Sequence, residues 1–162
     1  MRSFFRRRSG FTLTELTVTA AILAILAGAA LPLAKISVKR EKEIELRRDL
    51  RLMREAIDAY KKLADEKKIE VEDGTDGYPP DLDVLVKGVK VKGASEGGKK
   101  DGERIVKFLR RIPRDPLTGT SDWGFLSTQD PPDASAWGEE NVFDVYSRSR
   151  GTAIDGTKYR DW

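Results

Sequence analysis

Residues 11–34 read Phe-Thr-Leu-Thr-Glu-Leu-Thr-Val-Thr-Ala-Ala-Ile-Leu-Ala-Ile-Leu-Ala-Gly-Ala-Ala-Leu-Pro-Leu-Ala, with Glu15 as the sole charge. From Leu16 to Ala34 the run carries no charge over 19 residues, the length at which an apolar helix is read as spanning a membrane. Arg2, Arg6, Arg7 and Arg8 precede it, and such a basic cluster is expected to stay on the cytoplasmic side. The residues leave two fates open. The run is either a retained span or a cleaved signal peptide, for which Ala-Gly-Ala-Ala at 27–30 offers a small-residue site. Its length and the acid near its start argue for retention.

Working outward, Gly28 and Pro32 predict a kink, because proline lacks the amide that would bond the carbonyl four residues earlier. Thr12, Thr14, Thr17 and Thr19 have hydroxyls able to bond back to the helix or across to a neighbour. Lys35 to Lys68 contains neither glycine nor proline, so the helix is expected to continue. Within it Leu46, Leu50, Met53, Ile57, Tyr60 and Ala64 recur at spacings of three and four, one apolar stripe. Opposite charges four apart, at Glu43–Arg47, Arg51–Glu55, Arg54–Asp58 and Asp58–Lys62, suit helical ion pairs. A helix over 11–68 would be roughly 87 Å long at the usual rise, so its first half is expected to protrude.

Asp73-Gly-Thr-Asp-Gly77 ends the helix in a turn, and Tyr78-Pro-Pro-Asp81 opens a short second one carrying Leu82, Leu85 and Val86. Gly88 to Gly102 reads as an exposed loop anchored by Val89 and Val91, and Ile105, Phe108 and Leu109 as a further short helix. The rest of the chain is β-like: Trp123-Gly-Phe-Leu126, a rigid Asp130-Pro-Pro-Asp133 turn, and Asn141 to Ser147. In that last strand Val142, Asp144 and Tyr146 alternate with Phe143, Val145 and Ser147. So small a sheet has a bare apolar face unless the helix stripe covers it. The fold class expected is therefore α+β, a long N-terminal helix, membrane-spanning in its first half, packed by its second half on a small antiparallel sheet.

Composition removes several chemistries. The chain has no cysteine and no histidine, hence no disulfide, no thiolate, and neither the usual neutral-pH general base nor the commonest transition-metal ligand. Any metal would need oxygen ligands, which outside the cytoplasm suggests calcium. Of 30 basic residues four lie before Gly10 and none of the 27 acidic ones do. From Phe11 onward the balance is thus 26 against 27, a net of −1. That argues against nucleic-acid binding, since the later bases Lys99, Lys100, Arg104, Lys107, Arg110 and Arg111 read as a solvated helix face.

Glu15 is the sharpest functional candidate. A carboxylate inside an apolar helix needs a partner, unless Glu15 sits at headgroup depth, where it costs little; position alone leaves both open. If the chain were cut after Gly10, the new α-amine of Phe11 would lie near it, or near the Glu15 of a staggered neighbour. Asp144, Asp155 and Asp161 flank a glycine-containing loop and are compatible with an oxygen-ligand site, against the simpler reading of Asp155-Gly156 as a turn. Asp115 reads as a turn or cap residue. Trp123, Trp137 and Trp162 divide between core packing and a contact surface.

Arg6-Arg-Arg-Ser-Gly10 followed by Phe11-Thr-Leu-Thr-Glu15-Leu resembles the class III signal of type IV pilins and type II secretion pseudopilins. The resemblance implies that a prepilin peptidase cuts between Gly10 and Phe11 and methylates Phe11, that Glu15 serves assembly, and that the apolar helix is kept. Tyr78-Pro79 with Leu82 and Leu85, Ile112-Pro-Arg-Asp-Pro116 and Phe143-Asp-Val-Tyr-Ser147 resemble the major, G-type pseudopilin in order. The absence of cysteine agrees with that type. Leu117 stands where an aromatic is usual, and Arg148-Ser-Arg150-Gly151 falls where calcium-binding acids are expected.

The resemblance implies a structural, non-enzymatic subunit with no catalytic cofactor. Its leader would be residues 1–10, its span and filament core 11–34, and its periplasmic domain 35–162. A structural calcium would be held by Asp155 and Asp161. Expected partners are further copies in a helical filament, minor pseudopilins, the prepilin peptidase and methyltransferase, and the inner-membrane secretion platform, with no nucleic acid. The expected location is the bacterial inner membrane, single-pass with a cytoplasmic N-terminus, and the periplasmic pseudopilus. A type IV pilin for adhesion, motility or DNA uptake is the first alternative. A membrane-tethered periplasmic enzyme is disfavoured by the missing histidine and cysteine.

Overall fold

A computed structural model describes residues 10–92, 104–131, 134 and 136–162. The chain forms two compact units, Met1–Arg40 and Glu41–Trp162. Helix α1, Leu13–Asp65, supplies the first unit and opens the second. It starts two residues later than the sequence suggests, because Thr12 caps it: the Glu15 amide donates to Thr12 Oγ1 at 3.2 Å, closing one of the amides every helix start leaves open. Glu15 in the first turn also suits the positive end of the helix dipole.

In the second unit the expected stripe is the core. Leu46, Leu50, Met53, Ile57 and Tyr60 are at most 3 % exposed, joined by Ala56, while Ala64 packs at its margin. Against it lie α2 (Leu82–Lys87), whose Leu82 and Leu85 are buried, and two antiparallel ladders. Strand β1 (Val89–Val91) pairs with β2 (Arg104–Val106), placing Lys90 opposite Ile105. Strand β3 (Trp123–Leu126) pairs with β4 (Asp144–Ser147), placing Trp123 opposite Ser147 and Phe125 opposite Val145. Each ladder is too small to stand alone. Val91, Leu109, Trp123, Val142 and Val145 complete one buried cluster with the helix stripe.

Local chemistry explains the boundaries. Asp81, not a proline, starts α2, accepting from the Val84 amide at 2.8 Å. Gly88 ends it at φ +88°, where an added Cβ would meet the Val106 carbonyl at 2.7 Å. Glycine alone fits that corner between α2 and β1, against which the β2 carbonyl packs. The helix expected near Ile105 is instead strand and extended chain. The Phe108 and Leu109 amides both donate to the Leu85 carbonyl at 3.0 Å, so this segment is tied to α2 rather than coiled on itself. The loop expected over 88–102 is strand from Val89 to Val91; residues 93–102 lie outside those described, as do Pro132 and Asp133 of the expected rigid turn.

The α+β expectation therefore stands in part. Its membrane-spanning half does not: among the described residues no helix is long and apolar enough to cross a membrane. The transmembrane helix over 11–34 and the single-pass inner-membrane location are corrected accordingly.

Candidate assembly surface and C-terminal strap

In the first unit the apolar residues face outward. Leu16, Val18, Ile22, Leu23, Ile25 and Leu26 are between 52 and 73 % exposed, and Phe11 is 76 % exposed. The threonine hydroxyls settle onto their own helix: Thr17 Oγ1 donates to the Thr14 carbonyl at 2.9 Å, and Thr19 Oγ1 to the Glu15 carbonyl at 2.9 Å. They do not need a neighbour. Large side chains then occupy most of the circumference, and Thr14, Thr17, Ala21, Ala24 and Gly28 recur at three and four as a narrow row of small ones. Glu15 continues the row Val18, Ile22, Leu26, an exposed carboxylate at the end of an apolar ridge. Gly10 to Thr12 precede the helix and are exposed, so the 10–11 peptide bond is open to a protease.

Contiguous exposed apolar surface on this scale marks an interaction site. A helix apolar nearly all round is one that other chains or a core must surround.

At the C-terminal end of the second unit, a strap binds residues 144–162 to α1. Glu43 Oε1 accepts from the Ile154 amide at 2.9 Å and from the Tyr159 hydroxyl at 2.8 Å. Burial first, then this bond to Glu43, pushes the Tyr159 hydroxyl up to about 12. Arg47 Nη2 donates to Asp155 at 3.2 Å, and its guanidinium lies 4.1 Å over the Trp162 ring. Arg54 donates to both Asp144 oxygens, at 2.6 and 3.2 Å, and to the Val145 and Trp162 carbonyls at 3.2 and 2.7 Å. Helical spacing alone makes Glu43, Arg47 and Arg54 partners within the helix. Among the described residues none of the four expected helical ion pairs forms; these side chains reach residues about a hundred positions away instead.

Those contacts bear on calcium. Asp155 holds its own turn through the Thr157 hydroxyl, 2.6 Å, and amide, 2.9 Å. These bonds and Arg47 keep its carboxyl below the usual range. Asp144 is engaged by Arg54, and no group of three or more His, Cys, Asp or Glu among the described residues could hold a metal ion. An ion at Asp155 would compete with Arg47 for that carboxylate.

The remaining candidates are structural. Asp115 is buried, accepting from the Leu117 amide at 2.8 Å and the Ser147 hydroxyl at 2.5 Å. It is a turn residue that also fixes β4. Trp123 is buried with its indole N–H on the Pro113 carbonyl at 3.0 Å, while Trp137 and Trp162 pack at the core margin.

Residues 5–31 match a family model described as Prokaryotic N-terminal methylation motif. No curated protein and no solved structure matches the chain. The motif implies processing by a prepilin peptidase and methyltransferase system. With a long N-terminal helix on a small antiparallel sheet, the architecture is pilin-like and consistent with a structural subunit of the secretion and pilus families. The N-terminal motif points to the type IV pilin-like group of prepilin-processed proteins.

Proposed function

We propose that this chain is a structural subunit of a type II secretion pseudopilus, and its major, G-type component. The exposed apolar half of α1 carries the reading. Six large side chains each gain about 1–2 kcal/mol on being covered, and the row of small residues from Thr14 to Gly28 lets another helix approach closely. Covering the ridge that ends in Glu15 leaves a carboxylate that needs a cation, which the Phe11 α-amine of a neighbouring copy supplies after cleavage at Gly10. The growing filament would support export of folded proteins across the outer membrane, and the chain itself performs no chemistry. The motifs at Tyr78-Pro79, Ile112–Pro116 and Phe143–Ser147 and the absence of cysteine favour the G-type subunit over a surface pilin.

Mass spectrometry of the mature protein is expected to find methylated Phe11 as its first residue. Glu15→Ala should leave cleavage intact and reduce sedimentable filaments. Normal assembly by that variant would end the register role, and a mature chain starting elsewhere would end the reading.

A further inference from the structure

A second surface in the unit from Glu41 to Trp162 is unaccounted for by helix assembly. The β3–β4 ladder and the chain beyond it enclose an open cleft of about 540 Å³ lined by Arg148, Arg150, Lys158 and Arg160 with Phe125, Trp137 and Tyr146, and among the described residues no carboxylate lines it. Among the described residues only Arg148 of these has an acid partner, Asp122 at 3.2 Å, and that pair is largely exposed. Arg160 lies over the Tyr146 ring at 5.3 Å and donates to the Ala134 carbonyl. Arg150 and Lys158 form no ion pair among the described residues. Like charges gathered without a counter-charge repel one another, and an anionic partner relieves that.

The same unit carries a matching surface. The turn from Glu70 to Asp76 holds four acids and no base. Glu70 pairs with Lys92 at 2.8 Å, and Asp76 accepts from Thr128 and Gln129 at 2.9 Å. Glu72 and Asp73 are exposed and have no ion pair among the described residues. The turn is built to stand out: the Thr75 hydroxyl donates to the Glu72 carbonyl at 2.9 Å, the Tyr78 amide to the Thr75 carbonyl at 3.0 Å, and Gly74 takes φ +86°. No residue of the turn lines the cleft. Two different complementary patches on one chain make a heterologous contact, which propagates into an open array when its rotation does not close.

We propose that the cationic cleft of one copy receives the acidic turn, Glu72 and Asp73 foremost, of another copy of this chain. This rests on the proposed filament and adds to it a charged contact between folded domains. Glu72 and Asp73 meet Arg150 and Lys158, and the aromatic floor of the cleft limits water around them. Because the pairing is electrostatic it is screened by salt, unlike the apolar helix contact.

The absence of native cysteine makes the test direct. Full-length Ser149→Cys and Val71→Cys chains, each with one thiol and a different tag, are co-expressed and oxidised, and sedimentation reports filaments independently. A mixed disulfide dimer in the filament fraction is expected. It should fall about tenfold with Arg150→Glu/Lys158→Glu, in line with losing two surface pairs and adding repulsion, and return when Glu72→Lys/Asp73→Lys is placed in the other chain. Filaments without the mixed dimer would overturn the docking and leave the assembly reading intact. Neither filaments nor dimer would overturn both. A dimer indifferent to charge reversal would overturn the pairing of these surfaces, and the native cleft capturing an unrelated acidic protein equally well would do so too.

Discussion

Arg54→Ala is the perturbation that bears hardest on the strap. Its guanidinium makes four contacts, two to Asp144 and one each to the Val145 and Trp162 carbonyls. Hydrogen bonds involving a charged group contribute roughly 1.5–3 kcal/mol each when well shielded. Here the arginine side chain is 38 % exposed and the aspartate 33 %, so screening places the whole set near the lower end, about 2 kcal/mol. The loss should appear locally. Amide hydrogen exchange at Ala153, Gly156 and Asp161, whose amides bond within the segment at 2.8 to 3.1 Å, should accelerate about 30-fold, while amides of α2 stay near their parent rates. Arg54→Lys should fall between, since an ammonium cannot span three acceptors in a planar fork. Combining Arg54→Ala with Asp144→Ala should cost less than the sum of the two by about 1 kcal/mol. Acceleration below about threefold, or equal acceleration throughout the domain, would refute the claim that this arginine fastens the C-terminal segment.

Tyr159 is neutral and hydrogen-bonded to Glu43, and its raised pKa of about 12 means that its contribution is complete below the ordinary tyrosine range and disappears as pH climbs through that value. Ultraviolet titration should show a late-titrating phenol that Tyr159→Phe removes, with about 1 kcal/mol of stability lost at neutral pH. Asp155 has the opposite sign: its lowered pKa stabilises the loop above the usual aspartate range and stops doing so as pH falls through the depressed value. Protection of the Thr157 amide, its exchange relative to unstructured chain at the same pH, should therefore fall in acid, and Asp155→Asn should flatten that dependence. Calcium, and chelation, should leave the melting temperature unchanged at neutral pH; a rise of several degrees with calcium would show that the ion displaces Arg47. Gly124→Ala would set a Cβ 2.2 Å from the Tyr146 ring, an overpacking expected to cost about 1–3 kcal/mol, measurable by denaturant titration. Gly119→Ala, with open space around it but φ +75°, should cost about 1 kcal/mol.

Legibility in the sequence tracked the range of the interactions. The stripe from Leu46 to Ala64 was legible because helical periodicity is a local signal, and the same six positions form the core or its edge. Strand β4 was legible through alternation from Asp144 to Ser147, although Phe143 just before it is exposed, 47 %, and breaks the pattern. Short elements were ambiguous. Ile105, Phe108 and Leu109 have helical spacing, yet three residues pairing with β1 suffice to make a strand. The strap was illegible for a different reason. Arg47 and Asp155 are 108 positions apart, and nothing in a local window distinguishes that partner from Glu43 one turn away. Arg148 and Arg150 likewise looked like isolated departures from an acidic loop until folding gathered them with Lys158 and Arg160 into one cleft.

The buried stripe has a consequence for where the chain tolerates cutting. Residues after Asp65 bring their apolar faces to a surface they do not contain, for among the described residues more than half of the largest fully buried aliphatic and thioether side chains, proline aside, come from one helical segment beginning at Leu46. Trimming from the amino end as far as Arg40 removes no residue of that cluster. The first turns lost beyond it take Glu43, then Leu46 and Arg47, and with them both the hook and the wall on which the ladders rest. The boundary between a dispensable start and an indispensable one is therefore only a few residues wide.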